Sequence, residues 1–129
     1  MKSEYENFLN QLQSKIQALN EFDDVYIGVK PPIDRDYIAI IVPDEIRAEH
    51  SSPKHVVWHF LVSIYIFKRG SDYLGALGGA DKIIKAIEDD LSVNNSVDTV
   101  TYNTISIDAM EDRSAAAISL IGRKRVLEM

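Results

Sequence analysis

The chain has 129 residues, close to the size of one domain, and 46% of them are hydrophobic, which is enough to bury a core without cross-links. It contains no cysteine, which excludes disulfides, thiolate zinc sites and a cysteine nucleophile. Its net charge of -6 argues against broad nucleic-acid binding, because proteins that neutralise phosphates usually carry a basic field. We expect one domain over residues 1–129, with no cofactor.

No segment predicts export or a membrane span. Residues 1–6 are polar and acidic, where a signal peptide would be basic and then apolar. The longest apolar run, residues 56–67, is interrupted by His59 and Ser63 and falls short of the about 20 residues that cross a bilayer. We therefore expect no membrane partner, and the absence of cysteine fits a cytoplasmic origin.

Residues 3–20 predict an amphipathic helix, because apolar side chains recur at spacings of three and four. Ser3 and Glu6 have the spacing of a capping box, and Asn20 is expected to end the helix. The apolar positions are Tyr5, Phe8, Leu9, Leu12, Ile16 and Leu19.

Residues 25–29 and 37–42 are β-branched and aromatic, and the segment between them contains proline and aspartate. This pattern predicts two strands joined as a hairpin. Residues 43–54 are rich in charge and show no clear period, so we expect an exposed loop there. Long exposed loops in small domains often carry function.

Residues 55–68 predict a third strand that is apolar on both faces. Trp58, Phe60 and Val62 begin one face, and Val57, Leu61 and Tyr65 lie on the other. A strand in a single antiparallel layer usually has one polar face. We therefore expect this strand to be covered on both sides, with the helices covering one face and a partner chain supplying much of the other.

The rest of the chain predicts a helix and a hairpin. Asp72 is the expected N-cap of a helix that runs to about residue 91, residues 94–96 form a turn, and residues 97–109 and 115–127 pair as strands. The predicted class is α+β. A mixed or antiparallel sheet of about five strands carries two helices in the order α-β-β-β-α-β-β.

Three histidines suggest a metal site, but their spacing argues against it. His55 and His59 lie on one face of the third strand about 13 Å apart, too far for one ion, and His50 lies in the predicted loop. We interpret them as polar strand positions.

The glycines at residues 70–79 could cradle a phosphate at the start of the second helix. Neither GxxxxGK[ST] nor GxGxxG is present, so we interpret Gly78 and Gly79 as sites of close helix packing on the sheet or on a neighbouring subunit.

No residues form a recognisable catalytic set. Acidic pairs fall at element ends, where carboxylates are solvated, and no serine lies in a GxSxG elbow. An enzyme would have to gather distant residues, for instance His59 with Asp36 or Tyr65, and no spacing ties them together. We therefore expect that the protein is not an enzyme.

The layout resembles the tail terminator, or tail-completion, proteins of long-tailed bacteriophages (the minor tail protein U-like family). The resemblance covers nearly the whole chain and rests on the order of elements. A short first helix and two strands precede the long apolar strand of residues 55–67, and a helix containing residues 80–87 and a terminal hairpin follow it. These families share no diagnostic short motif.

The resemblance implies a homo-oligomer, a hexameric ring that stops tail-tube polymerisation and presents a surface to the head connector. The implied partners are other copies of the chain, the major tail-tube protein and a head-completion protein. The implied location is the host cytoplasm during assembly and then the virion tail. Two alternatives stay open: a head–tail adaptor, or a small dimeric ferredoxin-like binding or regulatory module.

Candidate contact residues lie in the predicted loop of residues 44–54, the third strand and the C-terminal hairpin, chosen for exposure and composition. The basic run of residues 123–125 could meet an acidic partner or phosphate, or could be the solvated end of an edge strand. The full candidate set is Asp44, Glu45, Arg47, Glu49, His50, Trp58, Arg113, Arg123, Lys124 and Arg125.

Overall fold

Two helices and five strands follow one another in the order predicted from the sequence, so the α+β class is confirmed. The computed structural model describes residues 2–28, 35–52, 55–70, 72–109 and 113–127. Its elements are α1 (Lys2–Gln17), β1 (Asp24–Ile27), β2 (Tyr37–Ser52), β3 (His55–Arg69), α2 (Tyr73–Asp89), β4 (Thr99–Ala109) and β5 (Arg113–Leu127).

The strands form one mixed sheet in the order β1-β2-β3-β5-β4. Strands β2, β3, β5 and β4 are antiparallel to their neighbours, and only β1 pairs in parallel, with β2. Because β3 and β4 are each antiparallel to β5, they run in the same direction, and α2 is the crossover between them. The sheet ends laterally at β1 on one side and at β4 on the other.

The hairpin predicted for residues 25–29 and 37–42 is wrong, because β1 and β2 run parallel, from Asp24 opposite Ile38 to Ile27 opposite Ile41. A hairpin needs a turn that reverses the chain at once. Here nine residues, 28–36, separate the four-residue β1 from β2, more than a tight hairpin turn needs. Gly28 leaves the strand with φ +90°, a conformation that disfavours other residues. Residue 29 of the predicted strand and residues 30–34 of the predicted turn lie outside the described residues.

The predicted loop over residues 43–54 is also wrong, because β2 continues to Ser52 in antiparallel register with β3. The sequence pattern did not reveal this part of the strand, because its side chains are mostly exposed and leave no buried face to produce an apolar alternation. Ile46 is half-buried, while residues 43–45 and 47–50 on either side of it are exposed. Register shifts at Pro43/Glu45 and His50/Ser52 also interrupt the two-residue alternation of side chains between the faces of the sheet. Residues 53 and 54 lie outside the described part of the chain.

Helix α1 buries the predicted stripe of Tyr5, Phe8, Leu9, Leu12 and Ile16. The capping box is wrong, because the helix begins at Lys2 and Ser3 lies within it. The Ser3 hydroxyl instead donates to Glu4 at 3.2 Å. The chain leaves the helix through a turn that ends at Asn20, whose φ is +53°.

The core lies between the two helices and one face of the sheet, where the even-numbered residues Phe60 to Ile66 of β3 are buried. Gly122 lets α1 approach β5 closely, since a Cβ there would lie 2.8 Å from the Phe8 ring. Gly79 does the same for α2, because a Cβ would overlap the Tyr37 hydroxyl. A Cβ at Gly78 would meet no atom within 4 Å, so close packing within the chain explains Gly79 but not Gly78.

Candidate functional site

The odd-numbered residues of β3 lie on the face of the sheet that the helices do not cover. Leu61 and Phe67 are half-buried and Tyr65 is 38% exposed, whereas Val62, Ile64 and Ile66 on the other face are buried. Directly opposite residues share a face, so the strand register extends this surface across the sheet. We call it the open face.

Rows of directly opposite side chains divide the open face into an apolar and a charged half. The apolar half contains the row Ile40, Tyr65 and Ala117. After an intervening row of Val42, Ser63 and Ser119, the charged half contains the row Glu45, Leu61 and Ile121, the row Arg47, His59 and Arg123, and the row Glu49, Val57 and Arg125.

The apolar half contains a shallow depression of about 220 Å³. Its floor is low because Ala115 and Ala117 carry small side chains, and the Tyr65 and Phe67 rings stack beside them with centroids 6.4 Å apart. Ile38 and Ile40 of β2 belong to this half and are buried, although they are not part of the helix-covered core. The depression thus offers an aromatic wall and a flat floor to a flat partner surface.

The charged half is organised as pairs. Arg47 donates to both carboxylate oxygens of Glu45, at 3.0 and 3.1 Å. His59 Nε2 lies 3.1 Å from a Glu49 oxygen, within ion-pair distance but not aligned for a hydrogen bond. Arg123 donates to the Thr101 hydroxyl at 2.9 Å. These contacts orient the charged side chains, so this half has a fixed pattern of polar groups.

A bulge brings Asp44 onto the same face. The register skips from Pro43 to Glu45, and the Asp44 carboxylate accepts a hydrogen bond from the Ser63 hydroxyl at 2.5 Å. Bulges bend an edge and re-aim a side chain. Asp44 therefore marks the boundary between the two halves.

A second surface combines the helix-side row of β4 with the exposed flank of α2. Leu74 is 80% exposed, Ile105 40% and Ile107 49%. Leu74, Leu77 and Ile105 line a groove of about 350 Å³. Tyr102, 44% exposed, lies in the same helix-side row of β4, and Tyr73, 45% exposed, precedes Leu74 at the start of α2. We call these five exposed residues the β4 patch: Tyr73, Leu74, Tyr102, Ile105 and Ile107.

Most of the exposed large hydrophobic side chains of the described residues belong to the β4 patch. Only Tyr65 and Leu91 lie elsewhere. Monomeric proteins scatter such residues singly, and a contiguous cluster usually marks an interaction site. The β4 patch is thus a stronger candidate contact than any region that the sequence singled out.

The free edge of β4 adjoins this patch. The strand has 11 residues, its only charged side chain is Asp108, and it contains no proline. In the described part of the chain no strand pairs with its outer side. Natural proteins usually protect long edges with charge, proline or strong bulges. Only a register shift between Tyr102 and Thr104 interrupts this one, so β4 remains open to pairing.

The structure brings half of the predicted contact residues together. Five of the candidates lie in the charged half of the open face, in the rows defined by the register of β2, β3 and β5: Glu45, Arg47, Glu49, Arg123 and Arg125. Asp44 borders them.

The other candidates lie apart from that group. Trp58 is half-buried against the core, and His50 lies on the helix side opposite Val56. Lys124 is also on the helix side, where it donates to the Ser96 carbonyl at 3.4 Å. Arg113 lies at the other end of β5, opposite Arg69.

The basic run of residues 123–125 is split by the alternation of the strand, because Arg123 and Arg125 face one side and Lys124 the other. Its first residue lies inside the sheet, since Arg123 pairs with His59 of β3 and with Thr99 of β4, whereas Lys124 and Arg125 lie where one side of β5 is a local edge. Beyond Arg123, β5 pairs only with β3. A phosphate backbone would thus meet two arginines rather than a continuous basic stripe.

The candidate catalytic pairs are not assembled. His59 and Tyr65 share a face but are about 20 Å apart along β3. Asp36 binds Arg69 at 3.0 Å, which places it at the far end of the strand from His59. Across the described ranges, no three His, Cys, Asp or Glu side chains are grouped as metal ligands would be.

The glycine-rich start of α2 does not offer a free anion site. The Gly75 amide donates to the carboxylate of the N-cap Asp72 at 2.9 Å. This hydrogen bond, together with Lys68, holds the pKa of Asp72 below its ordinary value. A negative charge therefore already occupies the place that a phosphate would take.

Two tyrosines show how firmly the helices are held on the sheet. Tyr37 donates to the Gly75 carbonyl at 3.0 Å, and burial with nearby Glu21 raises its pKa to about 12. Tyr5 donates to the Leu61 carbonyl at 2.7 Å, and burial with nearby Asp44 likewise raises its pKa to about 12. Both side chains are thus structural hydrogen-bond donors rather than acids poised near neutral pH.

Neither a scan against protein-family models nor a search of curated proteins finds a match to this chain. Within the described residues, neither helix has the length and hydrophobicity that crossing a bilayer requires.

Proposed function

We propose that this chain is a structural subunit of a phage or prophage tail, which assembles with its own copies into a ring that caps the tail tube. The ring would contain six copies, bind the major tail-tube protein on one side and present the other side to the head-completion protein. Assembly would take place in the host cytoplasm, and the ring would remain in the virion tail.

The observation that carries this proposal is the amount of organised apolar surface that one chain leaves uncovered. The open face places Tyr65 and Phe67 beside an alanine floor, and the β4 patch exposes Leu74 and Ile107 next to an unprotected strand edge. Surfaces of this kind are usually buried in an assembly. In a ring every copy makes the same contact with its neighbours through the β4 edge, and every copy presents the same open face to the tube or connector.

The chemistry of the described residues supports a structural role. The buried polar contacts hold backbone and helices in place, and the charged half of the open face is paired within itself. An interface of moderate polarity, with aromatic anchors and a charged rim, is typical of specific protein contacts.

The test is light scattering coupled to size-exclusion chromatography over a range of protein concentrations. We expect a mass six times the 14.5 kDa of one chain, or a lighter species that converts to it as concentration rises. Leu74→Asp should shift the equilibrium towards one chain. The matched control is Leu91→Asp, which changes an exposed leucine outside the β4 patch and should leave the mass unchanged.

The proposal further predicts capture of a major tail-tube protein by the assembled ring. Polymerised tube should bind the wild-type protein at its end and stop elongating, while Leu74→Asp should bind less. A chain that stays monomeric at every concentration and leaves tube polymerisation unchanged would refute the proposal. A stable dimer whose melting temperature responds to one small ligand would favour a binding module instead.

A further inference from the structure

Within the described residues, two long free edges lie at opposite sides of the sheet. One is the outer side of β4, which ends the strand order. The other is the outer side of β2 beyond its pairing with β1, which reaches only Ile41, so residues 43–52 have no strand on that side in the described chain. Two different free edges on opposite sides of one sheet are the geometry of a head-to-tail contact.

The directions of the two edges fit each other. Strand β2 is antiparallel to β3, β3 to β5, and β5 to β4, so β2 and β4 run in opposite directions. A second copy placed beside the first in the same orientation would therefore meet it as an antiparallel pair. No copy needs to be inverted, and the helix-covered face continues from one copy to the next.

The side-chain rows of the two edges also match. On the open face, β2 presents Glu45, Arg47 and Glu49, and β4 presents its threonines, Ser106 and Asp108. On the helix side, β2 presents Ile46, Ala48 and His50, and β4 presents Ile105 and Ile107. A continuous sheet would thus set polar groups against polar groups on the open face, while on the helix side all of these side chains except His50 are apolar.

Charge selects one register. Moving β4 along β2 by two residues at a time keeps each side chain on its own face of the joined sheet, whereas a shift of one residue would put opposite faces together. Placing Asp108 opposite Glu45 or Glu49 would set two carboxylates against each other, which is destabilising. Placing it opposite Arg47 sets opposite charges together, and the neighbouring pairs become Ala48 with Ile107 and Glu49 with Ser106. In this register Leu74 lies beside the joined edges and would be shielded.

We propose that the free edge of β4 pairs with residues 46–51 of β2 in the next copy, with Asp108 opposite Arg47. This inference rests on the proposed ring, for which it names the subunit contact. Strand addition of this kind draws affinity from main-chain hydrogen bonds and specificity from alternate side chains. Pro43, which has no amide hydrogen to donate, falls outside the paired stretch.

The chain has no cysteine, so introduced cysteines report this contact without background. Directly opposite residues of an antiparallel pair lie about 4.5–5.5 Å apart at Cα, within disulfide reach. Mixing Arg47→Cys with Asp108→Cys under mild oxidation should give a covalent pair at least tenfold more abundant than either variant gives alone. The double variant should give a ladder that ends at the closed ring.

Ser106→Cys is the control for the competing arrangement. If β4 instead paired with β4 of another copy around a two-fold axis centred on Ser106, Ile105 would face Ile107, and this variant alone would form a covalent dimer. That result would overturn the inference. So would a ring of the expected mass that shows no link between positions 47 and 108, although the proposed function would stand. A monomer at every concentration would overturn both.

Charge reversal gives a second measurement that needs no covalent bond. Asp108→Arg should weaken assembly about fivefold at each contact, because two arginines then oppose each other across the strands. Adding Arg47→Asp should restore the wild-type concentration dependence. Both positions are exposed, but each already interacts within its own chain, Arg47 with Glu45, so the melting temperature of every variant is measured as the control for folding. A double variant no better than Asp108→Arg would contradict the register.

Discussion

The contact between α1 and the sheet depends on the missing side chain of Gly122. A Cβ at this position would lie 2.8 and 2.9 Å from two atoms of the Phe8 ring. That ring is fully buried and packs against Phe60 with centroids 6.2 Å apart, so it has little room to move. No positive φ is involved, so the effect of a Gly122→Ala substitution comes from packing alone.

Overpacking a buried site by one methyl group costs about 1–3 kcal/mol. For a domain of this size we therefore expect Gly122→Ala to lower Tm by roughly 4–12 °C. Thermal and urea unfolding, followed by circular dichroism, would measure the change. Phe8→Leu removes the clashing atoms, so the loss in the double variant should be clearly smaller than the sum of the two single losses.

Gly78→Ala is the matched control for this experiment. It makes the same change at a glycine that has no atom within 4 Å. Replacing a helical glycine by alanine should therefore stabilise the fold by about 0.5–1 kcal/mol. If Gly122→Ala left stability unchanged or raised it, the close approach of α1 to β5 would be wrong. If Gly122→Ala and Gly78→Ala lowered the stability of the protein equally, a backbone effect would explain the result and the steric explanation would be wrong.

Three further predictions concern ionisable groups. The pKa of Asp90 is lowered to about 2 by hydrogen bonds from the Asn94 amide and the Ser92 hydroxyl and by Lys15. The stabilising contribution of Asp90 is therefore complete above the unfolded pKa of 3.8 and is lost as pH falls through 2. Melting curves between pH 5 and pH 2 should show an acid loss that is smaller in Asp90→Asn. Tyr5 and Tyr37, with pKa values raised to about 12, should stay protonated above pH 10, where an unperturbed tyrosine ionises, and phenolate absorbance measures this. The stabilising contribution of both side chains should therefore fall as pH rises from 10 through 12. Asp72→Ala removes the acceptor of the Gly75 amide and should lower Tm, with Asp72→Asn retaining part of the cap.

The sequence predicted the elements that bury a periodic face. Helix α2 repeats apolar residues at helical spacing and begins at a capping aspartate, and both its type and its start at Asp72 are confirmed. β3 was predicted from its long β-branched run and is confirmed from His55 to Arg69. The terminal hairpin is confirmed as well, with its turn residues 110–112 outside the described chain. In each case local propensity and burial favour the same structure.

The predictions failed where pairing, rather than burial, determines the structure. Residues 44–50 of β2 are extended because they pair with β3 along one side. Their exposed, charged side chains give no sequence signal of that pairing. The parallel direction of β1 is likewise set by its neighbour and not by its own four residues. Nothing local in the sequence distinguishes a hairpin from a parallel pair when the connection is of intermediate length.

The β4 patch was missed for a different reason. Ile105 and Ile107 alternate with polar residues, which is the ordinary pattern of a strand with one buried face. The structure shows that α2 leaves this row partly uncovered, with Ile107 49% exposed. A signal was present in the single charge among the 11 residues of β4, which is unusual for an edge. Recognising it requires knowing that β4 is an edge, which depends on the strand order.

The two apolar faces of β3 raise one remaining physical question. The helices bury the even-numbered residues 60–66 on one face, while Tyr65, Phe67 and Leu61 on the other keep access to solvent. An isolated chain gains little stability from apolar side chains that stay hydrated, and it risks aggregation through them. Edge pairing through β4 would extend the sheet without covering this face. A tube or connector protein that lies against the open face would cover it, so variants at Tyr65 should affect partner capture while leaving the mass of the ring unchanged.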